Sequence, residues 1–372
     1  MIQALNNRSL LRKFGSAQGV KELQTRFEAS IEQTKDIGVT LDDVLTIEKS
    51  GKKKVLFSEL AMQEMAALGD HAEEFAKRPE VKGVTLTIDS YASQDLDDGL
   101  SYYRNKDGSF VVGISITDVS AWVPRGGALD HSARLRVAGD YRGKSELVAP
   151  MFPLPLANDT LSLHQDRPRL CKTVEMLFSP SGKFLDAKIF RSVFINRHRL
   201  DSKDAARARD TAPTSEDGRA VQEALQAFSL AAGGKEGELP NIEKMLERLV
   251  RRSCLFVADA LKNAGLEASY RNQESQHSPA HYDAQPTGHA GIGAEAYVQW
   301  TSPIRRYADL DTHRALDRLL DGKKPRGKIA EIAHRNRESQ HERDNKGRDR
   351  RYKVLSLLVR LAKSKKTATL ET

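Results

Sequence analysis

The residues able to do chemistry gather in two short stretches. The first, Thr87-Ile-Asp-Ser-Tyr-Ala-Ser-Gln-Asp-Leu-Asp-Asp-Gly99, brings Asp89, Asp95, Asp97 and Asp98 close together in the chain. Four carboxylates so crowded repel one another unless a cation joins them, and the hard, oxygen-seeking ions Mg²⁺ and Mn²⁺ suit such a donor set. A solvated acidic turn is the plain alternative. An EF-hand is disfavoured, because counting from Asp95 the loop lacks the sixth-position glycine and the closing glutamate. The second stretch runs from Trp300 to Arg314. Here Pro303 disfavours a helical Ser302 and itself suits a first helical position, so Ser302 is the expected N-cap. Arg305 and Arg306 then fall in the first turn, where positive side chains oppose the helix dipole. A bound anion would offset them, which is how a phosphate site is built.

The elements that must position these residues are legible in outline. Val84-Thr-Leu-Thr-Ile-Asp89 alternates apolar and polar residues, so as a strand it buries Val84, Leu86 and Ile88 and leaves Thr85, Thr87 and Asp89 opposite. The other three acids are expected in a turn-like segment closed by Gly99. Further strands are expected over Phe110 to Thr117, Leu170 to Phe178 and Lys183 to Ile195, with Lys106-Asp-Gly108 as a turn before the first. Met151-Phe-Pro-Leu-Pro-Leu156 is a proline-stiffened loop that a central strand cannot contain.

Residues 1 to about 80 read as mainly helical, with a thin apolar stripe at Leu23, Phe27 and Ile31, a strand-like Val55-Leu-Phe57, Ser58 as a helix cap and Gly69 as its stop. Residues 201 to 240, polar and rich in alanine and glycine, suggest an exposed connection or loosely packed helices. Asn241 caps a clear amphipathic helix with Ile242, Met245, Leu246, Leu249, Ser253, Phe256, Val257 and Ala260 on one face and Gly265 at its end. His277, His281 and His289 share a polar loop; a zinc site is the weaker reading, because closed sites usually take four ligands and no cysteine lies nearby. Together these patterns predict an α/β (α+β) fold: a mixed, largely antiparallel sheet with helices around it. Three divisions are expected, a helical extension over 1–80, a catalytic domain over 81–325 and a basic helical segment over 326–372.

Composition narrows the class of partner. The chain has 372 residues and a net charge of +8, and residues 302 to 372 alone hold 20 Lys and Arg against 10 Asp and Glu. A basic end beside a compact acidic cluster suggests a phosphate polymer held by one and acted on by the other; a solvated basic helix is the alternative. No apolar run approaches the roughly 18 residues of a membrane span. The start has no long apolar stretch of a secretory signal. With Cys171 and Cys254 as the two cysteines, a cytoplasmic protein without a disulfide framework is expected.

Taken together, the acidic loop Asp89-(x)5-Asp95-x-Asp97-Asp98, the blocks Ile116-Thr-Asp-Val-Ser-Ala-Trp-Val123 and Gly288-His-Ala-Gly-Ile-Gly293, and Thr301-Ser-Pro-Ile-Arg-Arg-Tyr-Ala-Asp-Leu310 with His313-Arg314 resemble the RNB catalytic domain of the RNase II / RNase R family. The likeness covers roughly residues 81 to 321. It implies a hydrolytic 3′→5′ exoribonuclease that draws single-stranded RNA through a basic channel and releases 5′-mononucleotides and a short end product. It implies a Mg²⁺ (or Mn²⁺) site of Asp89, Asp95, Asp97 and Asp98, with Asp89, Asp95 and Asp98 chiefly as ligands and Asp97 also as the indispensable catalytic carboxylate. Arg305 matches the arginine that grips the scissile phosphate. Tyr141 is similar to an aromatic that stacks on a terminal base, Glu342 to a glutamate near the 3′ end, and Ser302 and Arg306 are expected to contact RNA. The cold-shock and S1 OB folds usual in the family are not recognisable, so an RNA-binding or adaptor protein with weak turnover is the alternative. No protein partner is implied, and a monomer is expected.

Overall fold

The computed structural model describes residues 57–323 apart from 143–145 and 235–238, with backbone alone at 46–49, 52–55, 140–142 and 146–149. In chain order its elements are β1 (Thr46–Lys49), β2 (Lys52–Val55), α1 (Glu59–Ala66), α2 (Ala72–Lys77), β3 (Val84–Ile88), β4 (Asp98–Arg104), β5 (Phe110–Thr117), α3 (Val119–Trp122), α4 (Ala128–Arg136), β6 (Asp140–Arg142) and β7 (Glu146–Ala149). A π-helical turn over Pro155–Thr160 leads to β8 (Pro168–Phe178), β9 (Phe184–Ile195), β10 (His198–Leu200), α5 (Ser202–Asp210), α6 (Glu216–Ala231), α7 (Ile242–Asn263), β11 (Tyr270–Asn272), β12 (His281–Asp283) and α8 (Tyr307–Leu320).

The described residues fall into two compact units, one with residues up to Leu68 plus Arg125–Arg136, the other with Gly69–Pro124 and the chain from Val137 onward. In the first, β1 and β2 pair antiparallel, so the stretch expected to be mainly helical contains a hairpin. Ser58 caps α1 by accepting a hydrogen bond from the Ala61 amide at 3.0 Å. Within the same unit the Glu64 carboxylate accepts from the Leu129 amide at 3.0 Å, joining α1 to α4. The apolar stripe at Leu23, Phe27 and Ile31 and the basic segment 326–372 lie outside the described residues.

The second unit is built on a six-stranded sheet in the order β10-β3-β4-β5-β8-β9, antiparallel throughout except for the parallel pair β10–β3. The mixed, largely antiparallel sheet read from the sequence is thus present. At its centre β5, with the sequence Phe-Val-Val-Gly-Ile-Ser-Ile-Thr, is buried at every position, as a strand covered on both faces must be. Phe110, Val112, Ile114 and Ile116 face the main core, which α6 and α7 complete through Leu225, Phe228, Met245 and Leu249. On the opposite face hydroxyls replace aliphatics: Ser115 Oγ pairs with Thr173 Oγ1 at 2.8 Å, and Thr173 Oγ1 with Ser192 Oγ at 2.7 Å.

Three expectations need correction here. Of the β3 residues expected inside, Leu86 is buried and Val84 and Ile88 are half-buried, while Thr85 and Thr87 opposite are buried as well because that face is covered: Thr85 Oγ1 donates to the Ile195 carbonyl at 2.5 Å and Thr87 Oγ1 accepts from Asn196 Nδ2 at 3.1 Å. The described part of 201–240 is not loosely packed. Asp201 and Ser215 cap α5 and α6, and α6 buries Val221, Leu225 and Phe228 together with Ala224, Ala227 and Ala231, small residues that let the helix pack closely. Gly99 does not close a turn; it is the second residue of β4. A Cβ there would lie 2.4 Å from Cζ of Phe194, so the strand can cross that buried ring only as glycine.

Candidate active site

The acidic loop leaves β3 at Asp89, whose amide donates to the Leu200 carbonyl of β10 at 2.9 Å. It re-enters the sheet at Asp98, the first residue of β4, opposite Ile116. Between them Leu96 turns inward and is fully buried with Val81, Leu163, Cys171 and Phe194. Its amide donates to Ser162 Oγ at 3.0 Å and its carbonyl accepts from Leu163 at 3.0 Å. One apolar residue thus anchors the loop and leaves the acids around it on the site. Arg199, on β10, braces the preceding segment: its Nη2 donates to the carbonyls of Ser93 at 2.7 Å and Tyr91 at 3.2 Å.

Asp97 is 4% exposed. Its Oδ1 accepts from the Ile304 amide at 2.9 Å, and its Oδ2 lies 3.6 Å from Nε of Arg305. These contacts join the acidic loop to the 301–306 segment across some two hundred residues of chain. Burial pushes the Asp97 carboxyl well above its ordinary value, with Arg305 and the Ile304 amide opposing and Asp95 and Asp98 adding to the rise. Asp89 is pushed up to about 7, first by burial and then by Asp98, and burial raises Asp98 as well. Each shift reports an ionised form disfavoured chiefly by lost solvent, with neighbouring acids adding to it at Asp89 and Asp97 and the arginines opposing it.

These effects bear on metal binding. Among the described residues no three Asp, Glu, His or Cys side chains are gathered closely enough to hold a metal ion. The donor set itself fits Mg²⁺ or Mn²⁺: all oxygen, anionic, and in need of positive charge. Asp89, Asp95 and Asp98 would be the residues to hold such an ion, since Asp97 is engaged by the 301–306 segment.

That segment corrects the expected helix start. Ser302 is not an N-cap; α8 begins at Tyr307, and Arg306 is extended at φ −135° and ψ 121°. The Ser302 carbonyl accepts from the amides of Arg305 at 3.2 Å and Arg306 at 2.9 Å, closing a turn. The chain then leaves helical geometry because Gly139 donates to the Arg305 carbonyl at 2.9 Å and Tyr307 donates to that of Val137 at 2.8 Å. Tertiary pairing overrides the proline signal. The two arginines also divide. Arg305 is exposed, with Nη2 donating to Ser302 Oγ at 3.0 Å. Arg306 is largely enclosed and binds Asp309 through Nη2 at 2.6 Å and Nε at 3.0 Å. The anion that offsets Arg306 is therefore a side chain of this protein, which removes the reason to expect an RNA phosphate there.

Of the other expected residues, Tyr141 lies on β6 opposite Leu147, just beyond the Gly139 that bonds Arg305. Glu342 lies outside the described residues. His281 is on β12, and His289 packs edge-on against Tyr297 with ring centroids 5.4 Å apart. The sequence reading gave no role to Arg199 or Asp309; an acid three residues after an arginine is a visible signal for Asp309, and Arg199 has none. It also passed over a buried ionic node behind the site. There Lys172 contacts Asp118, Arg78 Nη1 lies 2.8 Å from Asp118 Oδ2, and Lys172 Nζ lies 3.1 Å from Asp317 Oδ1 on α8.

With this geometry in hand, comparison with known proteins is informative. The sequence profile of the RNB domain matches residues 80–256 and 257–322. Ribonuclease R of Chlamydia trachomatis is 25% identical over 312 residues, covering 62% of this chain and 44% of that protein. Exoribonuclease 2 of Sodalis glossinidius is 26% identical over 345 residues, covering 68% and 53%. The chain spans about half the length of the curated relatives it matches. Among solved structures, Mycoplasma genitalium RNase R in complex with double-stranded RNA superposes with a TM-score of 0.65 at 19% identity, over 81% of this chain and 69% of that one. Yeast Ssd1, described as a pseudonuclease, gives 0.64 at 15% identity over 85% and 49%. No helix among the described residues is long and apolar enough to cross a membrane. The profile match takes in both halves of the site, the acidic loop and the Arg305 turn, and the chain belongs to the RNB domain family.

Proposed function

We propose that this chain is a hydrolytic 3′→5′ exoribonuclease acting on single-stranded RNA and dependent on Mg²⁺ or Mn²⁺. The observation that carries the reading is the meeting of Asp97 with Ile304 and Arg305, which sets an exposed guanidinium beside a cluster of four carboxylates. Phosphodiester hydrolysis needs both charges: positive charge for the phosphate oxygens, which gain charge in the transition state, and a cation among the acids. A divalent metal held by Asp89, Asp95 and Asp98 supplies charge neutralisation and makes water a competent nucleophile near neutral pH.

The chain's own residues do the rest. Arg305, exposed on one side and tied to Ser302 on the other, grips the scissile phosphate. Asp97, held by the Ile304 amide and facing Arg305, fixes the distance between the acids and that grip. Its raised proton affinity suits it to take and return a proton as the bond to the leaving oxygen breaks. Tyr141 is assigned to stacking on a terminal base, a contact worth about 1–3 kcal/mol without sequence preference. The expected products are 5′-mononucleotides and a short oligonucleotide.

A second reading, RNA binding without turnover, is favoured by the likeness to the Ssd1 pseudonuclease. One experiment separates the two. 5′-labelled single-stranded RNA incubated with Mg²⁺ should shorten stepwise from its 3′ end, and Asp97→Asn should stop the shortening. Tight binding with no shortening across a Mg²⁺ and Mn²⁺ series would establish the second reading, and full activity of Asp97→Asn would overturn the role given to that carboxylate.

A further inference from the structure

Asp309 is a costly residue to have where it is. Its side chain is fully buried, and Oδ1 has no hydrogen-bond partner. A buried carboxylate with an unsatisfied oxygen destabilises a fold, and an apolar residue of similar size is often at least as stable there. Local rules broken in this way tend to mark function. What Asp309 does with its other oxygen is specific. Oδ2 accepts from the Ser302 backbone amide at 2.9 Å while Arg306 binds the same atom through Nη2 and Nε. Ser302 is 4% exposed, and its hydroxyl oxygen accepts from Nη2 of Arg305 at 3.0 Å.

These contacts form a continuous strut. Asp309 fixes the backbone at Ser302, Ser302 fixes one nitrogen of Arg305, and Arg306 donates two hydrogen bonds to the oxygen of Asp309 that holds Ser302. The Arg305 carbonyl is held from the other side by the Gly139 amide. An arginine carries about 2 kcal/mol of side-chain entropy when free, and an exposed one near four acids has several carboxylates to collapse onto. The strut leaves it aimed beside Asp97 instead.

We propose that Asp309 and Ser302 are positioning residues that aim Arg305 at the scissile phosphate, and that Arg306 serves Asp309 and does not contact RNA. This rests on the reading of Arg305 as the phosphate-gripping residue. It also reassigns Ser302, expected from the sequence to contact RNA, to a contact with Arg305.

The test is a double-mutant cycle in the full chain. Ser302→Ala, Asp309→Asn, Arg305→Ala and the doubles with Arg305→Ala are compared for kcat and KM on labelled single-stranded RNA, and for RNA binding as a function of salt. Ser302→Ala removes one hydroxyl and should lower kcat by up to about 100-fold, the scale of a misplaced catalytic group, with KM changed far less. In the Arg305→Ala background the same change should have almost no effect. A merely structural serine or aspartate would cost the same factor in both backgrounds, and that additivity, or a wild-type kcat for Ser302→Ala, would overturn the proposal.

Should Asp309→Asn fail to fold, as judged by circular dichroism, Ser302→Ala alone decides. If the wild-type chain binds RNA but does not cut it, the hydrolase reading fails and the strut is still tested. Arg305→Ala and Ser302→Ala should each reduce the salt dependence of binding by about 0.7 in log–log slope, one phosphate contact on a single strand, and the double should reduce it no further. Additive slopes, or no binding of RNA at all, would sink the strut as well.

Discussion

Leu96→Ala should damage stability and turnover together, and the two losses have different origins. Leu96 is fully buried among Val81, Leu163, Cys171 and Phe194, so truncation removes a transfer contribution of about 1.5–3 kcal/mol. Four packed neighbours cannot all collapse into the space, two of them being a disulfide-free cysteine and a phenylalanine held by strands β8 and β9. With the cavity included, the expected cost is about 2–5 kcal/mol. A domain of this size with about 5–15 kcal/mol to lose stays folded at room temperature.

The effect on turnover follows from where the residue sits, between Asp95 and Asp97. Without the anchoring side chain, the stretch between Asp95 and Asp97 loses its apolar anchor and is located by hydrogen bonds alone, among them those to Ser162 and Leu163. A displacement of Asp97 by about 1 Å from Ile304 and Arg305 is enough for a rate loss on the order of 100-fold. Leu163→Ala is the control, because it opens a cavity in the same cluster while leaving the acidic loop's own side chain in place. Urea unfolding should show comparable losses for the two variants, and cleavage of labelled RNA should fall sharply only for Leu96→Ala. Equal rates for the two would refute the idea that this side chain sets the acids, and unchanged urea midpoints would refute the packing itself.

Other perturbations act on the supports of the site. Gly99→Ala places a Cβ 2.4 Å from Phe194 and should cost about 1–3 kcal/mol of overpacking, with part recovered in Gly99→Ala/Phe194→Leu, both read from urea midpoints. Lys172→Met leaves the buried Asp118 short of a counter-charge and should cost about 3–5 kcal/mol. Burial alone would raise the Asp118 carboxyl, but Lys172, His313 and Arg78 outweigh it and hold it well below the usual range. Its contribution is therefore complete above the ordinary carboxylate value and lost as pH falls through the folded one, so acid unfolding should begin at higher pH in Lys172→Met. The reverse sign applies to Asp89 in protein stripped of metal. With its carboxyl raised from 3.8 to about 7, the folded state keeps a proton the unfolded chain has released, and stability should fall on the order of 4 kcal/mol as pH rises across that window. Asp89→Asn should flatten this slope in EDTA and, assayed separately with Mg²⁺, abolish cleavage; an unchanged slope would contradict the assignment. Tyr141→Ala should lengthen the final oligonucleotide and leave early cleavage intact; an unchanged end product on a sequencing gel would place the stacking residue elsewhere.

What was legible in the sequence depended on how local its cause was. The β5 strand was read with its observed bounds because its alternation and the Lys106-Asp-Gly108 turn are both local signals. Asn241 was read as a cap because its side chain bonds the Lys244 amide within one turn, at 2.8 Å. The start of β4 was missed because Gly99 looks like a turn residue until Phe194, nearly a hundred positions away, is seen filling the space of its absent side chain. Ser302 was misread for a related reason. Pro303 does favour a helix start, yet the Val137 carbonyl and the Gly139 amide draw the chain into extended geometry at Arg306. The four acids and Arg305 were found from residue type and spacing together with family likeness. Their supports were not, since Arg199, Leu96 and Asp309 act through contacts that no spacing encodes.

Those supports explain how pieces so distant in sequence form one site. The acids destabilise the fold: Asp89, Asp97 and Asp98 all have ionised forms disfavoured by burial, and neighbouring aspartates add to this for Asp89 and Asp97. Nothing local would keep them together, so the restraint has to come from rigid structure on both sides. Asp98 opens β4, which pairs with β5 along its length. Directly after β5 comes Asp118, clasped by Lys172 of β8, which also reaches Asp317 of α8. The same helix begins immediately after Arg306 and carries Asp309 in its first turn. Acids and arginine are thus tied to opposite ends of one path through paired strands and a buried ionic node, and closed at the site by the Asp97–Ile304 bond. On this account the node sets the separation of the two halves of the site. Weakening it should cost turnover beyond what its effect on stability predicts, a difference that Lys172→Met, assayed well below its own unfolding temperature, makes measurable.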